Sequence, residues 1–241
     1  MRYATLTRPG SRPVNEDSLG VFSSGDTWCF LVADGLGGHG QGDVASRLAV
    51  DAFGALYSAP FPGPMPGQMA AAFRQAQEDI LREQRAAGAF AQMKTTAAAL
   101  ALRDGQALWG HIGDSRVYAF ARRKVKERTL DHSVPQMLAL AGDIREKEIR
   151  GHPDRNRLLR VLGVAGDAPR FELSPVQDAR RFDAFLLCSD GFWELITEKE
   201  MGAQLKRAAS PEEWLAQMAG IVEERGRGRE MDNYSAIAVL L

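Results

Sequence analysis

The sequence predicts an α+β fold in which antiparallel sheets are covered by helices. Strand-like segments are grouped at 1–35, 95–121 and 234–241, and helical patterns lie between these groups. This grouping lacks the regular β-α-β alternation of a doubly wound parallel sheet. Short turns such as Asp104-Gly105 separate neighbouring strand-like runs, which favours antiparallel meanders.

The N-terminal half begins with strands and continues with two helices. Apolar or alternating runs predict strands at 3–6, 18–22 and 28–33. A glycine-rich stretch then leads into a helix with helically spaced apolar residues, for which Asp43 is the expected N-cap. The proline-rich segment 59–67 is predicted to be a surface connector, because proline disrupts helices and central strands. A second helix is expected at about 68–87.

The C-terminal half contains the remaining strands and a polar insertion. Strands are predicted at 95–102, 107–112, 117–121, 183–189 and 234–241. Residues 131–170 form an elaborated surface segment, with short helices near 134–141 and 145–150. Two further helices are expected at 198–206 and 210–224, the second opened by a capping box from Ser210 to Glu213.

Composition limits the possible functions. The chain has 241 residues, of which 45% are hydrophobic and 25% are charged, as expected of an ordinary globular protein. Its net charge of −1 gives no overall attraction to nucleic acid or to a membrane surface. Cys29 and Cys188 lie in apolar runs and are expected to be reduced core residues. With neither a membrane-spanning stretch nor a signal sequence, a cytoplasmic location is expected.

Four aspartates stand where apolar, strand-like runs end. They are Asp34, Asp114, Asp190 and Asp232. A carboxylate at the end of a buried strand is unfavourable unless it is paired or binds a cation. Four of them spread over the chain indicate one shared site. Oxygen ligands of this kind suit hard ions such as Mg²⁺ or Mn²⁺.

Further polar motifs accompany these aspartates. Arg12 precedes Glu16 and Asp17, and Asp34 opens the glycine-rich stretch Asp-Gly-Leu-Gly-Gly-His-Gly-Gln-Gly. That stretch lacks the Gly-Lys-Ser/Thr of a nucleotide-binding P-loop. Each motif alone is compatible with a simple turn or cap. Their joint occurrence in this order favours a functional site.

These motifs resemble those of the PPM-type (type 2C) metal-dependent protein serine/threonine phosphatases, and the bacterial branch is most similar. The resemblance runs from about residue 2 to 241, as one catalytic domain. It rests on Arg12…Asn15-Glu-Asp17, Asp34-Gly-Leu-Gly-Gly-His39, Gly113-Asp-Ser-Arg116, Leu130-Asp-His-Ser133, Ser189-Asp-Gly191 and Asp232-Asn233. It implies a β-sandwich of two antiparallel sheets flanked by helix pairs, with a metal centre at one end and a variable flap at about 133–166.

The resemblance also implies roles for individual residues. Asp34 would bridge two Mg²⁺ or Mn²⁺ ions, the Gly35 carbonyl would bind one of them, and Asp190 and Asp232 would bind the other. Glu16 and Asp17 would act directly or through water, and Asp114 would bind a weaker third ion together with Asp190. Arg12 would bind the substrate phosphate. Catalysis is assigned to Arg12, Asp34, Asp190 and Asp232, with a minor role for His39 or Asn233.

The chain departs from the eukaryotic pattern at one position. A histidine proposed as the general acid follows the Asp-Gly pair in those enzymes, whereas Leu36 follows it here. His39 lies nearby, but shaping the glycine-rich loop is an equally good interpretation. His111, His132 and His152 have no assigned role beyond local structure.

The implied function is hydrolysis of phosphoserine and phosphothreonine in proteins. The expected partners are phosphoproteins and a cognate serine/threonine kinase, with no nucleic acid and no membrane, and the expected state is a monomer. The segments 132–136 and 151–156 also resemble phosphatases that oppose a kinase controlling bacterial type VI secretion. Two alternatives stay open: a catalytically inactive family member that serves as a binding module, and a phosphatase for small metabolites.

Overall fold

The computed structural model describes residues 1–36, 41–89, 92–166 and 168–241. These residues form twelve β-strands and six α-helices. The strands are β1 (Arg2–Arg8), β2 (Asp17–Ser24), β3 (Thr27–Leu36), β4 (Lys94–Thr95), β5 (Ala97–Arg103), β6 (Gln106–Ile112), β7 (Arg116–Ala121), β8 (Lys124–Arg128), β9 (Glu172–Leu173), β10 (Gln177–Asp178), β11 (Ala184–Cys188) and β12 (Tyr234–Leu240).

The strands form two antiparallel sheets. The first sheet has the order β1-β12-β11-β7-β8, so the N-terminal strand pairs with the C-terminal one. The second has the order β10-β6-β5-β3-β2, with β4 on the end of β3 and β9 on β6. The ladders are antiparallel throughout these pairs.

Helices cover the outer faces of both sheets. The α-helices are α1 (Gly42–Tyr57), α2 (Met65–Ala86), α3 (Val134–Ala141), α4 (Asp190–Trp193), α5 (Glu198–Arg207) and α6 (Pro211–Gly226). Helices α1 and α2 pack on the second sheet through Phe53 and Phe73, and α5 and α6 pack on the first through Met201 and Trp214. None of the described helices is both long enough and apolar enough to cross a membrane.

Alternating side chains on the central strands build three apolar layers. On β3, Leu31 points into the layer beneath α1 and α2, whereas Phe30 points between the sheets. On β11, Leu187 lies between the sheets and Leu186 lies under the helices of the other side. This period-two alternation produces an α-β-β-α sandwich, which confirms the predicted fold class.

The structure corrects two predictions at the helix starts. Helix α1 has Gln41 as its N-cap, and Asp43 lies in the first turn, where it pairs with Arg47 at 2.7 Å. Helix α2 begins at Met65, inside the segment predicted to be a connector. Proline fits there because the first turn of a helix does not need the missing N–H.

Other boundaries shift for identifiable reasons. Strand β3 continues past Ala33 to Leu36, because Gly35 and Leu36 pair with β4. The charged strand β8 was not predicted, since its sequence Lys-Val-Lys-Glu-Arg has little apolar character. The segment predicted as a helix at 145–150 is a 3₁₀ helix at Glu146–Gly151. At α6, Ser210 accepts the Glu213 N–H, but the Glu213 carboxylate accepts from Ala209 and leaves the capping box incomplete.

Candidate active site

The four strand-end aspartates meet at one end of the sandwich. They line a cavity of about 450 Å³ that lies between the ends of the two sheets. The cavity is lined by Arg12, Pro13, Val14, Glu16, Asp34, Gly35, Leu36, Asp114, Asn156, Leu158, Asp190, Asp232 and Asn233. Sequence motifs that are up to 220 residues apart therefore contribute to a single site, as the aspartate pattern predicted.

Asp17 is a fifth carboxylate of this group, and it is almost fully buried. It is the register partner of Asp34 in the β2–β3 ladder. Its Oδ2 accepts a hydrogen bond of 2.8 Å from Ser189 Oγ, next to Asp190. Its Oδ1 is buried without a hydrogen-bond partner. A buried acceptor in this state is unfavourable unless a further group, such as a cation, approaches it.

Burial raises the pKa of these carboxylates, and their mutual repulsion adds to the effect. Burial is the main cause for Asp34, and the charge of Asp190 adds to it. The same two causes raise the pKa of Asp114, while burial and the charge of Asp232 raise that of Asp190. Asp34 and Asp190 are partly exposed to solvent in the cavity. The surrounding protein and the neighbouring charges nevertheless raise their pKa more than this exposure lowers it. The pKa of Asp17 is raised to about 7, again chiefly by burial.

This donor set fits hard divalent cations. All of the side-chain atoms that Asp17, Asp34, Asp114, Asp190 and Asp232 offer are carboxylate oxygens, which Mg²⁺ and Mn²⁺ prefer. Divalent cations would stabilise the buried anions, neutralise their mutual repulsion and offer a partner for the orphaned Asp17 oxygen.

Gly35 belongs to the most crowded part of the site. A Cβ atom at this position would lie 2.2 Å from the Gly42 carbonyl oxygen and 2.7 Å from that of Glu16. The Gly35 N–H donates to the Glu16 carbonyl at 3.1 Å. Only glycine permits this approach of the two backbones. Burial raises the pKa of the adjacent Glu16 carboxyl, which faces the same region.

Arg12 lies at the edge of the cavity and pairs with Asp232. Its Nη2 is 2.8 Å from Asp232 Oδ2, and 57% of its side chain is exposed. The segment that carries Arg12 packs closely on the C-terminal motif, since a Cβ at Gly10 would lie 2.2 Å from the Asp232 carbonyl oxygen. An exposed guanidinium beside a carboxylate cluster can bind an incoming phosphate.

Asn233 holds the N-terminal motif in place. Its Oδ1 accepts the Glu16 N–H at 2.8 Å, and its Nδ2 donates to the carbonyls of Pro9 at 2.9 Å and Val14 at 3.0 Å. The sequence suggested only a minor role for this residue. The structure gives it a specific one, because a single amide side chain fixes both ends of the segment that carries Arg12.

Three buried hydroxyl groups connect the site loops, and sequence analysis missed them. Thr96 Oγ1 accepts the Asp34 N–H at 3.1 Å and lies 2.7 Å from Ser115 Oγ, so it joins Asp34 to the turn of Asp114. Ser189 Oγ donates to Asp17 and accepts the Ser235 N–H at 3.0 Å. The only available signal was that Ser115 and Ser189 are neighbours of the aspartates.

His111 and His132 form a stacked pair outside the carboxylate cluster. Their ring centroids are 4.4 Å apart, and His132 Nε2 lies 3.2 Å from Glu172 Oε1. His132 Nδ1 accepts the Gly113 N–H at 3.2 Å, so its proton belongs on Nε2, toward Glu172. A metal ion on Nε2 would have to displace that proton. The interpretation of both histidines as local structure stays a prediction. His39 lies outside the described residues.

Comparison with known proteins agrees with this geometry. The family model for protein phosphatase 2C matches residues 10–234. A serine/threonine phosphatase, stp, from Listeria monocytogenes serotype 4b is 33% identical over 199 residues, which are 80% of this chain and 77% of the relative.

Two solved structures are also similar. The catalytic domain of the serine/threonine protein phosphatase PstP, in complex with two manganese ions, has a TM-score of 0.82 and 26% identity, covering 100% of this chain and 98% of that one. PppA, described as a key regulatory component of T6SS in Pseudomonas aeruginosa, has a TM-score of 0.80 and 28% identity, covering 99% and 96%. Since the family model spans nearly the whole chain and a relative shares a third of the aligned residues, the chain belongs to the protein phosphatase 2C family.

Proposed function

We propose that this chain hydrolyses phosphoserine and phosphothreonine in proteins with the help of two bound Mg²⁺ or Mn²⁺ ions. The observation that carries the proposal is the convergence of five aspartates from both sheets, with Arg12 at the edge of their cavity. Family membership and the two manganese ions of the PstP structure support it.

Each carboxylate has a proposed place in the metal centre. Asp34 would lie between the two ions and the Gly35 carbonyl would bind one, while Asp190 and Asp232 would bind the other. Asp114 would share a weaker third ion with Asp190, and Glu16 and Asp17 would act directly or through water. When bound, such a pair of ions supplies hydroxide near neutral pH and neutralises charge on the transferring phosphoryl group.

Arg12 is proposed to bind the substrate phosphate. Its guanidinium is exposed and already carries one carboxylate partner, Asp232. A phosphomonoester dianion offers several acceptor oxygens and a larger negative charge than this carboxylate, so Arg12 can turn from Asp232 to the substrate. Cys29 and Cys188 are buried away from the cavity, and hydrolysis by water assigns no nucleophilic role to either.

A matched pair of variants tests the proposal. Asp34→Asn removes a central carboxylate charge, whereas Asp26→Asn changes an exposed aspartate in the turn of the same β2–β3 hairpin. We expect Asp34→Asn to lose Mn²⁺ binding in calorimetry and at least about 10³-fold in phosphopeptide turnover. Asp26→Asn should match wild type in both. Full activity of Asp34→Asn would refute the metal assignment.

The same assay separates the two alternatives. A binding module would bind phosphopeptides without turning over p-nitrophenyl phosphate in the presence of Mn²⁺. A metabolite phosphatase would show a higher kcat/KM for small phosphorylated metabolites than for phosphopeptides. The complete set of Asp34, Asp190, Asp232 and Arg12 favours catalysis, and we expect phosphopeptides to be preferred.

The proposal also includes a regulatory setting. We infer that the chain opposes a serine/threonine kinase, and that this kinase controls type VI secretion, as the similarity to PppA suggests. Deletion of the phosphatase gene should raise phosphorylation of the kinase and its targets, as measured by quantitative phosphoproteomics. Unchanged phosphorylation in the deletion strain would contradict this role.

The segment at about 133–166 is proposed to act as a substrate-facing flap of a single catalytic domain. Asn156 and Leu158 belong to it and line the cavity together with the aspartates. We also propose that the monomer is active, since all residues of the proposed mechanism can be supplied by one chain. Light scattering combined with activity at increasing dilution would test this, since loss of activity on dilution would indicate an obligatory oligomer.

A further inference from the structure

Trp193 occupies a position that connects two parts of the candidate metal centre. It lies in the short helix α4, which begins at Asp190, and only 2% of its surface is exposed. Its indole Nε1–H donates a hydrogen bond of 2.9 Å to the backbone carbonyl of Asp114. One side chain therefore joins the helix that carries Asp190 to the turn that carries Asp114.

The same turn also holds the face of the indole ring. The Arg116 guanidinium carbon lies 3.4 Å from the Trp193 ring centroid, which is a close cation–π stack. Arg116 is itself fixed by Asp131, through Nε to Oδ1 at 2.7 Å and Nη2 to Oδ2 at 2.6 Å, in a fully buried pair. The ring is therefore restrained at its edge by Asp114 and at its face by Arg116.

The backbone of Trp193 is held by a second arginine. Arg150 Nε donates to the Trp193 carbonyl at 3.1 Å, and Arg150 Nη2 donates to Glu198 Oε1 at 2.7 Å. With both its backbone and its ring restrained, Trp193 has little freedom to move relative to Asp190. The contacts that hold the Asp114 turn to Trp193 therefore also set the distance between this turn and Asp190.

We propose that Trp193 is a positioning residue that fixes the Asp114 turn relative to Asp190 and thereby sets the affinity for the cation shared by these two aspartates. The inference rests on the proposed function, because it requires that cation. Trp193 itself touches neither the substrate nor the ion. Without the indole N–H, the Asp114 carbonyl loses its buried donor, and the turn can move away from Asp190.

The chain offers a matched control in Trp214. This residue is also a fully buried tryptophan, and its Nε1–H also donates to a backbone carbonyl, that of Met201, at 3.0 Å. It lies on the buried face of α6, away from the cavity residues. Each of the variants Trp193→Phe and Trp214→Phe therefore removes one hydrogen bond from an indole N–H to a backbone carbonyl, together with the same part of the ring. Only Trp193→Phe does so beside the proposed metal centre.

Mn²⁺ titration by calorimetry, with melting temperatures measured in parallel, provides the test. We expect Trp193→Phe to weaken the weakest Mn²⁺ site by about tenfold, the factor that corresponds to one lost hydrogen bond, and to leave the tighter sites within about twofold. Phosphopeptide kcat/KM should fall and recover in part at high Mn²⁺. Trp214→Phe should leave all Mn²⁺ affinities within about twofold even where its melting temperature falls. Equal changes in both variants, or none in Trp193→Phe, would overturn the inference.

A second variant covers the case in which phenylalanine disturbs folding. Replacing the Trp193 indole by benzothiophene, through incorporation of 3-benzothienylalanine, keeps the shape of the ring and removes only the N–H donor. The same tenfold loss at the weakest site is expected, and an unchanged affinity would refute the positioning role. Failure of the proposed function gives a different result, because the wild-type protein itself would then bind no Mn²⁺ in the titration.

Discussion

Asp17 and Asp34 stand directly opposite each other in the β2–β3 ladder, so their side chains share one face of the sheet. Like charges at such a position repel each other, and one oxygen of Asp17 has no hydrogen-bond partner. Ordinary sheet packing does not explain two adjacent carboxylates at a strand end. The arrangement would be favourable if cations neutralised it, and binding of the proposed cations would then stabilise the folded chain.

The first prediction concerns the pH dependence of the metal-free protein. Burial raises the pKa of Asp17 from 3.8 to about 7, and the charges of Asp190 and Asp232 add to this effect. The folded state thus binds the Asp17 proton more tightly than the unfolded state does. The stability associated with the protonated form is complete below about pH 4 and is lost as the pH rises through about 7.

Asp17→Asn tests this dependence, because asparagine cannot ionise. In excess chelator at pH 8, we expect the variant to melt roughly 5 °C above wild type, and the difference to vanish near pH 4. Asp26→Asn, an exposed change in the same hairpin, should follow wild type at both pH values. If Asp17→Asn instead melts below wild type at pH 8, the buried carboxylate is stabilising as an anion and the raised pKa is contradicted.

The second prediction concerns substrate binding by Arg12. Arg12→Ala should lower kcat/KM for phosphopeptides by about 10- to 150-fold, mainly through KM, since a charge-assisted hydrogen bond contributes about 1.5–3 kcal/mol. Mn²⁺ affinity should change little. Arg8→Ala is the control, because Arg8 is an exposed arginine four residues earlier in the chain whose guanidinium donates to the Thr7 carbonyl at 2.9 Å. Equal kinetics of the two variants would exclude Arg12 from the phosphate site.

The third prediction concerns the amide of Asn233. Asn233→Ala removes three hydrogen bonds to the segment from Pro9 to Glu16, and we expect a loss of about 2–3 kcal/mol in unfolding free energy. Hydrogen exchange should accelerate at residues 10–16 before it does elsewhere. Asn233→Asp keeps the acceptor but turns the donor into an anion facing two carbonyls, so it should be no more stable than the alanine variant. A stable aspartate variant would show that the donor contacts are unimportant.

The sequence predicted the site better than it predicted the segments that support it. Asp34, Asp114, Asp190 and Asp232 were identifiable because a carboxylate after an apolar run is unfavourable without a partner. Thr96 could not be found in this way, because its role depends on which strands become neighbours: it contacts both Asp34 and Ser115 only once β3, β5 and the Asp114 turn have assembled.

The fold shows the same difference: features that depend on neighbouring residues were predicted, and features that depend on distant residues were missed. Central strands such as β11 were predicted because they are continuously apolar. The charged strand β8 was missed, since it owes its strand conformation to pairing with β7 rather than to its own residues. Trp193 lies two residues beyond the Ser189-Asp-Gly191 motif, but its hydrogen bond to Asp114 joins residues that are 79 positions apart and has no local signature.

The last prediction separates the third cation from the central pair. Asp114 is buried, and its pKa is raised by burial and then by the charge of Asp190. Its contribution to the proposed centre is a cation shared with Asp190 alone. Asp114→Asn keeps the size of the side chain and the backbone carbonyl that Trp193 binds, and it removes only the charge.

We therefore expect Asp114→Asn to retain two Mn²⁺ ions in calorimetry and to lose the weakest one, whereas Asp34→Asn should lose the tight sites. Turnover of phosphopeptides should fall by about 10-fold or more with Asp114→Asn, because the remaining ions lack one source of charge neutralisation near the substrate. Loss of all Mn²⁺ binding in Asp114→Asn would place this aspartate in the central pair. Retention of three ions would remove Asp114 from the metal centre altogether, since a neutral amide is a much weaker ligand than the carboxylate it replaces.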